Sequence, residues 1–351
     1  MKATFRKLMC LAMAMCMSVS VLSGCANTSQ PSNGTTNPSN GPNATGSTPV
    51  SGDVTYFKVG HTNGVDSPQQ KTAEYMNELL AEKLPQYQLD IYPSSQLGGE
   101  RDMIEAVQLG TQDMVVTATT PLANFVPSMN VGELLYLIDD YEMADAIYQG
   151  EIGKRLLEDC SAANMKGLGF AEVGFRMLCT NKPIETVDDL AGLKLRVMEN
   201  QMHVDGWKVM GCDAITMGWA DAYAGVQQGT IDAIEVPYSL IYSNSVYDVC
   251  KYVAETSHIY TAQCFLMSLS AWSKLTPEEQ AIWQECATEA CARAREYSRQ
   301  VNEDFKQTIM DKGVTITTPD LTPFRSKAEE LYTQYEDQYG EQIAQIKGLA
   351  K

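Results

Sequence analysis

Thr186-Val187-Asp188-Asp189-Leu190-Ala191-Gly192-Leu193-Lys194-Leu195-Arg196-Val197 reads as a short capped turn feeding a strand. Thr186 and Asp189 stand three apart, the spacing of a capping box, and the apolar alternation predicts a strand over 194–198. A helix over about 200–210, a strand near 214–216, a helix over 220–228 and a strand over 231–235 follow. Strand and helix in alternation imply a parallel sheet covered by helices, an α/β lobe.

The same pattern runs upstream. A strand over 56–60 leads to a helix opened by Ser67-Pro68, an N-cap followed by proline at the first helical position. Ala73, Met76, Leu80 and Leu84 then recur at helical spacing. Strands over 89–92, 113–118 and 167–171 alternate with helices over 100–109, 141–149 and 152–164, with Gly110 as the C-cap of the 100–109 helix. Segments 252–257 and 264–269 are apolar enough to be strands that run between lobes. From Thr276-Pro277-Glu278-Glu279 the chain continues to Lys312 with no glycine or proline. That is one helix long enough to bridge two lobes, or two helices with a break between them. The expected organisation is one lobe from 54–173 plus about 262–301, and a second from 174–261 plus about 302–351.

The N-terminal end reads as an export signal. Lys2, Arg6 and Lys7 precede an apolar run of about 15 residues, shorter than the roughly 20 that a membrane-spanning helix needs. It ends at Leu22-Ser23-Gly24-Cys25, which resembles a bacterial lipobox, with Cys25 as the lipid-anchored residue after cleavage of the signal 1–24; an uncleaved anchor with an incidental cysteine is the alternative. Residues 25–53 are almost wholly Asn, Thr, Ser, Pro and Gly, a composition that makes a flexible linker. The expected location is extracytoplasmic, tethered to the cell membrane.

The formal charge is −18. Losing the three cations of the signal and no anions takes the mature chain to −21. So acidic a body argues against nucleic acid as a partner, since phosphates require clustered Lys and Arg. Of ten cysteines, Cys10 and Cys16 leave with the signal and Cys25 is the anchor. The remaining seven show no Cys-x-x-Cys spacing, and His61, His203 and His258 lie far apart, so no metal site or cofactor is expected. Most of the cysteines read as small buried apolar residues, with a disulfide between some pair left open. Nor is a nucleophile paired with a base visible, and Gly98-Gly99 lacks the spacing of a phosphate cradle. Asp188-Asp189 and Glu278-Glu279 sit at helix starts, where the macrodipole accounts for them. A binding protein is expected, with no catalytic residues; an anchored hydrolase would need a base near a nucleophile.

Two arginines stand out. Arg196 interrupts an apolar strand, and Arg176 lies between Phe175 and Met177. A guanidinium in such a place must find an anion, and its planar fork matches a carboxylate. A ligand or an internal Asp or Glu could supply it.

Separated motifs then carry a resemblance: Pro93-Ser94-Ser95-Gln96-Leu97-Gly98-Gly99-Glu100, Gln108-Leu109-Gly110-Thr111-Gln112-Asp113-Met114, Lys182-Pro183-Ile184, the 188–197 stretch quoted above, and Tyr223 through Gln227-Gln228-Gly229 to Asp232. Over nearly all of residues 54–340 the chain resembles the solute-binding proteins of tripartite ATP-independent periplasmic (TRAP) transporters, the dicarboxylate-binding-protein family. The resemblance implies a two-lobed, type II-like periplasmic-binding-protein fold, α/β in class, with a long bridging helix and a ligand cleft between the lobes. It implies that Arg196 pairs with the carboxylate of a small organic acid, mono- or dicarboxylate, that Arg176 lies alongside, and that Trp219 closes over the ligand. Thr62, Thr119 and Glu199 become cleft candidates near strand ends. The partners it implies are a small and a large membrane subunit energised by an ion gradient. A binding protein for an ATP-driven importer or a sensor would share the anchor and the lobes.

The chain departs from the family at Ile234-Glu235-Val236-Pro237, where Gln-Glu-Asn-Pro is usual. Glu235 stays in the binding set, but Val236 replaces a ligand-contacting asparagine and implies a more apolar flank. Asp221 replaces a glutamate, and Thr119-Thr120-Pro121 offers only hydroxyls where sialate binders of the family carry charge, which argues against sialate.

Overall fold

The computed structural model describes residues 54–349; the signal, Cys25 and the linker lie outside the described residues. Among the described residues eleven strands form two sheets. The first has the order β2-β1-β3-β10-β4, with β1 Thr55–Gly60, β2 Tyr87–Tyr92, β3 Met114–Ala118, β4 Met165–Phe175 and β10 Tyr260–Ser268. The second has the order β11-β9-β5-β8-β6-β7, with β5 Met177–Thr180, β6 Lys194–Val197, β7 Asp213–Thr216, β8 Ala233–Val236, β9 Tyr252–Ala254 and β11 Thr315–Thr317. β1 runs parallel to β2 and β3, and β6 parallel to β7 and β8. These are the βαβ units expected from the alternating pattern. The antiparallel insertions are β10, between β3 and β4, and β5, between β8 and β9.

Helix starts follow local chemistry. Ser67 Oγ accepts from the backbone N–H of Gln70 at 3.3 Å, with Pro68 at the first helical position of Pro68–Lys83. Thr276 and Glu279 satisfy each other's backbone N–H groups at 3.2 and 2.9 Å, a complete capping box opening the helix Pro277–Asp311. That helix is continuous, so the two-helix alternative does not hold. Its first half buries Trp283, Cys286, Ala287, Ala290, Cys291 and Ala294 in the core beneath the first sheet. Further along, Phe305 stacks on Tyr242 at 4.1 Å and Ile309 enters the core of the second sheet. One helix therefore touches both lobes.

The chain passes between the sheets three times, at β4–β5, β9–β10 and along the long helix. The expected strands over 252–257 and 264–269 are displaced. β9 stops at Ala254, the crossing is made by 255–259, and β10 starts at Tyr260, so each strand belongs to one sheet. At the β4–β5 crossing Gly174 has φ 108°, and a Cβ there would meet Asn302 Nδ2 at 2.7 Å; only glycine fits. On one flank a core is shared by both lobes: the C-terminal helix Thr322–Lys347 places Phe324, Leu331 and Ile346 in the same cluster as Trp207, Leu135 and Leu137.

All seven cysteines from Cys160 to Cys291 are free thiols and buried, so the disulfide left open by the sequence does not form. Burial pushes the thiols of Cys212, Cys250 and Cys291 up to about 12, which keeps them protonated and inert. The expected result of titrating the folded body, residues 54–351, with an aromatic disulfide reagent is no fast reaction when native, and seven thiols after denaturation.

Candidate functional site

The parallel strands of both sheets end facing a cleft, the position in which open α/β sheets bind ligands. After β2, the backbone of Pro93–Gly99 folds against the loop of His61 and Asn63 that follows β1, with Ser94 N donating to Asn63 O at 2.9 Å and Ser95 N to His61 O at 3.1 Å. Ser94 and Ser95 both take positive φ, 54° and 60°, a strained pair of the kind found at ligand sites. The loop delivers Glu100 to the start of the helix Glu100–Leu109. From the other side β6 delivers Arg196 and, just past its end, Met198; the turn after β7 delivers Trp219, and β8 ends on Val236.

These residues surround two adjoining cavities. The inner one, about 20 Å³, is lined on the first lobe by Thr62, Asn63, Gln69 and Thr261 and on the second by Arg176, Val236 and Leu240. The outer one, about 300 Å³, is lined by Arg101, Asp102, Glu199 and Asp221. Glu100, Arg196, Met198 and Trp219 line both, and so mark the junction. The lobes touch on either rim: Asn244 Nδ2 donates to Asn63 Oδ1 at 3.2 Å and Asn124 Nδ2 to Glu199 O at 2.6 Å. An inner space of this size holds about one water, so a ligand of several carbons enters only when the rims part. A larger cavity of about 340 Å³ lies between the helix Glu151–Asp159 and the C-terminal helix. Its cation, Arg155, is exposed and hydrogen-bonded to Gln345 at 3.2 Å, so it offers nothing like the buried junction.

Arg196 is 3% exposed. Its Nε donates to Met217 O at 2.7 Å, and its guanidinium lies 5.7 Å from the Trp219 ring centroid, a cation–π geometry. Among the described residues it forms no ion pair. Burial, opposed by the charge of Glu235 and aided by that of Arg176, lowers its pKa to about 10, so it stays cationic at neutral pH.

Arg176 has a different fate. It forms a forked ion pair with Glu235, Nη2 donating to Oε1 at 3.0 Å, and Nη1 donates to Thr261 Oγ1 at 3.2 Å. Both partners are buried. His258 Nε2 lies 3.2 Å from Glu235 Oε2, and Thr256 Oγ1 lies 2.7 Å from Nδ1. A carboxylate only accepts, so Nε2 carries the proton and the threonine hydroxyl donates to Nδ1. Burial lowers the His258 pKa and keeps the ring neutral. Burial alone would raise the Glu235 carboxyl, but the Arg176 charge and hydrogen bonds from His258 and Arg176 hold it well below the usual range.

Of the residues singled out in the sequence, Arg196, Arg176, Trp219, Val236 and Thr62 line the inner cavity. Glu199 lines the outer one. Glu235 sits behind Arg176 as its counter-ion. Thr119 is buried, its hydroxyl donating to Glu133 Oε1 at 2.7 Å; Glu133 also accepts from Thr120 and pairs with His203 Nε2 at 2.9 Å. Among the described residues no cluster of His, Cys, Asp or Glu could hold a metal ion, and no helix is long and apolar enough to cross a membrane.

Sequence reasoning missed Asn63, Gln69 and Thr261, which carry no pattern of their own. It also passed over Glu100, read there as part of a motif. Glu100 is partly buried; its Oε1 accepts from Ala118 N at 3.1 Å and Thr117 Oγ1 at 3.2 Å. Burial raises its pKa against the pull of that backbone N–H and of the Arg196 charge.

The model of the bacterial extracellular solute-binding proteins, family 7 (DctP), matches residues 59–338. A solute-binding protein of Verminephrobacter eiseniae is 32% identical over 259 residues, 72% of this chain and 76% of the relative. The C4-dicarboxylate-binding periplasmic protein of Rhodobacter capsulatus is 28% identical over 303 residues, 85% and 90% of the two chains. Among solved structures, a TRAP periplasmic solute-binding protein of Polaromonas bound to D-erythronate is similar with a TM-score of 0.82 and 34% identity, over 84% of this chain and 98% of that one.

Proposed function

Because this chain belongs to family 7 of the bacterial extracellular solute-binding proteins, the TRAP binding components, and is a binding protein rather than an enzyme, we propose that its cleft captures a small hydroxylated carboxylate and delivers it to a TRAP membrane pair. The observation that carries this reading is Arg196: a buried cation at the cleft junction, held by Met217 O and Trp219, with no carboxylate paired to it among the described residues. A ligand carboxylate completes its hydrogen bonds. The first-lobe wall of Thr62, Asn63, Gln69 and Thr261 suits hydroxyl groups, and Gln69 Oε1 is buried without a partner among the described residues. Val236, Leu240 and Met198 suit the carbon chain on the other wall. D-erythronate, bound by the Polaromonas protein, has this combination of one carboxylate and several hydroxyls.

Closure of the rims desolvates the Arg196–carboxylate pair and so strengthens it. Arg176, neutralised by Glu235, contributes a fixed donor framework more than a free charge. The experiment is a thermal-shift screen of the mature chain against aldonates, uronates, short mono- and dicarboxylates, and their neutral amides. Stabilisation by hydroxy acids and not by amides supports the reading; stabilisation by amides alone removes it.

The lipid anchor is part of the same proposal. Cys25 after Leu22-Ser23-Gly24 is expected to take a fatty-acid label in cells. A Cys25→Ala chain is expected to show no label, and equal labelling of the two would remove the anchor.

A further inference from the structure

Deep in the cleft the two walls differ in kind. Past the junction, the first-lobe side of the inner cavity carries Thr62, Asn63, Gln69 and Thr261, while the side facing it carries Val173, Val236 and Leu240. These three belong to the apolar core of the second sheet. That core therefore comes to the surface inside the cavity. The backbone acceptors around it are already taken: Val173 O accepts from Asn302 Nδ2 at 2.7 Å, Leu240 O from Asn244 N at 3.2 Å, and Pro237 O from the N–H groups of Leu240 and Ile241 at 3.0 Å. Pro237 has no N–H to offer, and Val236 is held in the ladder opposite Met177. Arg176 adds little, since Glu235 and Thr261 take all but one of its N–H groups. The Glu100 carboxylate and the Trp219 indole stand at the junction, and Arg101, Glu199 and Asp221 lie beyond it. A ligand hydroxyl turned to this corner gives up its water without gaining a partner, which weakens binding by about five- to more than a hundredfold. A methyl group in the same place strengthens it by about fourfold.

We infer that the ligand is a short hydroxy acid bearing an alkyl group, its hydroxyls confined to the face that meets the first lobe, and that Val236 selects it over the fully hydroxylated acid of the same length. The inference rests on the carboxylate reading of Arg196 and narrows it. Val236 stands at the cleft end of β8, directly after the glutamate that fixes Arg176, so it meets the carbon chain beside the carboxylate end. On this account D-erythronate binds less tightly than the acid that carries a methyl where erythronate has its terminal hydroxymethyl.

The test uses pairs of matching configuration that differ by one terminal hydroxyl, lactate with glycerate and 2,3-dihydroxybutanoate with erythronate, beside longer aldonates and uronates. Calorimetric titration is made on the mature chain, Val236→Thr, Val236→Asn and Arg196→Ala. Threonine keeps the shape of valine and adds a hydroxyl, and asparagine serves should that variant misfold. The expected result is that the parent binds the methyl acid of each pair it takes at least about fivefold more tightly than the hydroxymethyl acid. Either Val236 variant is expected to narrow that ratio by about fivefold or more, through tighter binding of the hydroxymethyl acid. A parent that binds the two alike, prefers the hydroxymethyl acid, or takes only the longer aldonates and uronates overturns the inference and leaves Arg196 untouched. A ratio unchanged in both variants does the same. If no acid binds the parent, or if Arg196→Ala binds as the parent does, the carboxylate reading itself fails and takes this inference with it.

Discussion

Replacing Arg196 with alanine is expected to weaken ligand binding by about ten- to more than a hundredfold without lowering the melting temperature of the unliganded protein. A hydrogen bond to a charged group contributes about 1.5–3 kcal/mol, and Arg196 offers its planar fork to the ligand from a site 3% exposed. Its Nε is fixed by Met217 O at 2.7 Å, so the fork is oriented before the ligand arrives and little entropy is lost on binding. Stability is little affected because no ion pair among the described residues is broken; the charge removed is one that burial disfavours. Lysine is expected to restore only part of the affinity, since a point charge cannot form two parallel bonds. Titration calorimetry on the parent, Arg196→Ala and Arg196→Lys, beside their thermal melts, checks the pattern. Loss of stability in place of loss of affinity would make Arg196 a structural residue.

Glu235→Ala is expected to do the reverse and destabilise the fold by about 3–5 kcal/mol, because it strands Arg176 as an unpaired buried charge. In a chain of this size that is a fall of about 6–10 °C in melting temperature. The pH dependence has a definite sign. Glu235 has a folded-state pKa held below its ordinary value of 4.5, so its stabilisation is fully present above the unfolded pKa and is lost as pH falls toward the folded one. The difference in melting temperature between parent and variant is therefore expected to be constant above about pH 5.5 and to shrink below about pH 4.5. Glu100 and Glu172, whose pKa values are raised mainly by burial, act in the opposite sense, but both proteins contain them and they cancel in the difference. Melts of the two proteins from pH 7 to pH 4 make the comparison. A difference that stays flat to pH 4 would mean that the carboxylate charge is not what holds Arg176.

The two arginines were equivalent in the sequence, each a cation between apolar neighbours, and the structure separates them. What divides them is register: β5 pairs with β8 so that Met177 faces Val236 and Leu178 faces Glu235, and Arg176, one residue before β5, reaches Glu235. Pairing across a sheet is not visible from one strand. Helix starts, by contrast, were legible at Ser67-Pro68 and Thr276-Pro277, because caps are local chemistry. The C-terminal helix Thr322–Lys347 went unread; its charged residues leave only a narrow buried stripe from Phe324 to Ile346. Glu100 was hidden for a related reason. An acidic residue at a helix start is ordinary, and its proximity to Arg196 exists only once two lobes, 96 positions apart in number, are folded face to face.

The place of β10 in the first sheet also governs when that sheet can form. Every residue of β10 from Tyr260 to Ser268 is buried, and it lies between β3 and β4, bonded to both. Its Cys264 pairs with Thr117 of β3, 147 positions earlier in the chain. A nascent or partly exported chain that stops short of residue 260 holds β3 and β4 with their inner edges unpaired, which is a template for aggregation. Folding of the first lobe therefore waits for more than two thirds of the chain to be delivered. Such long-range pairing is slow, and that delay leaves time for the polypeptide to cross the membrane before it becomes compact.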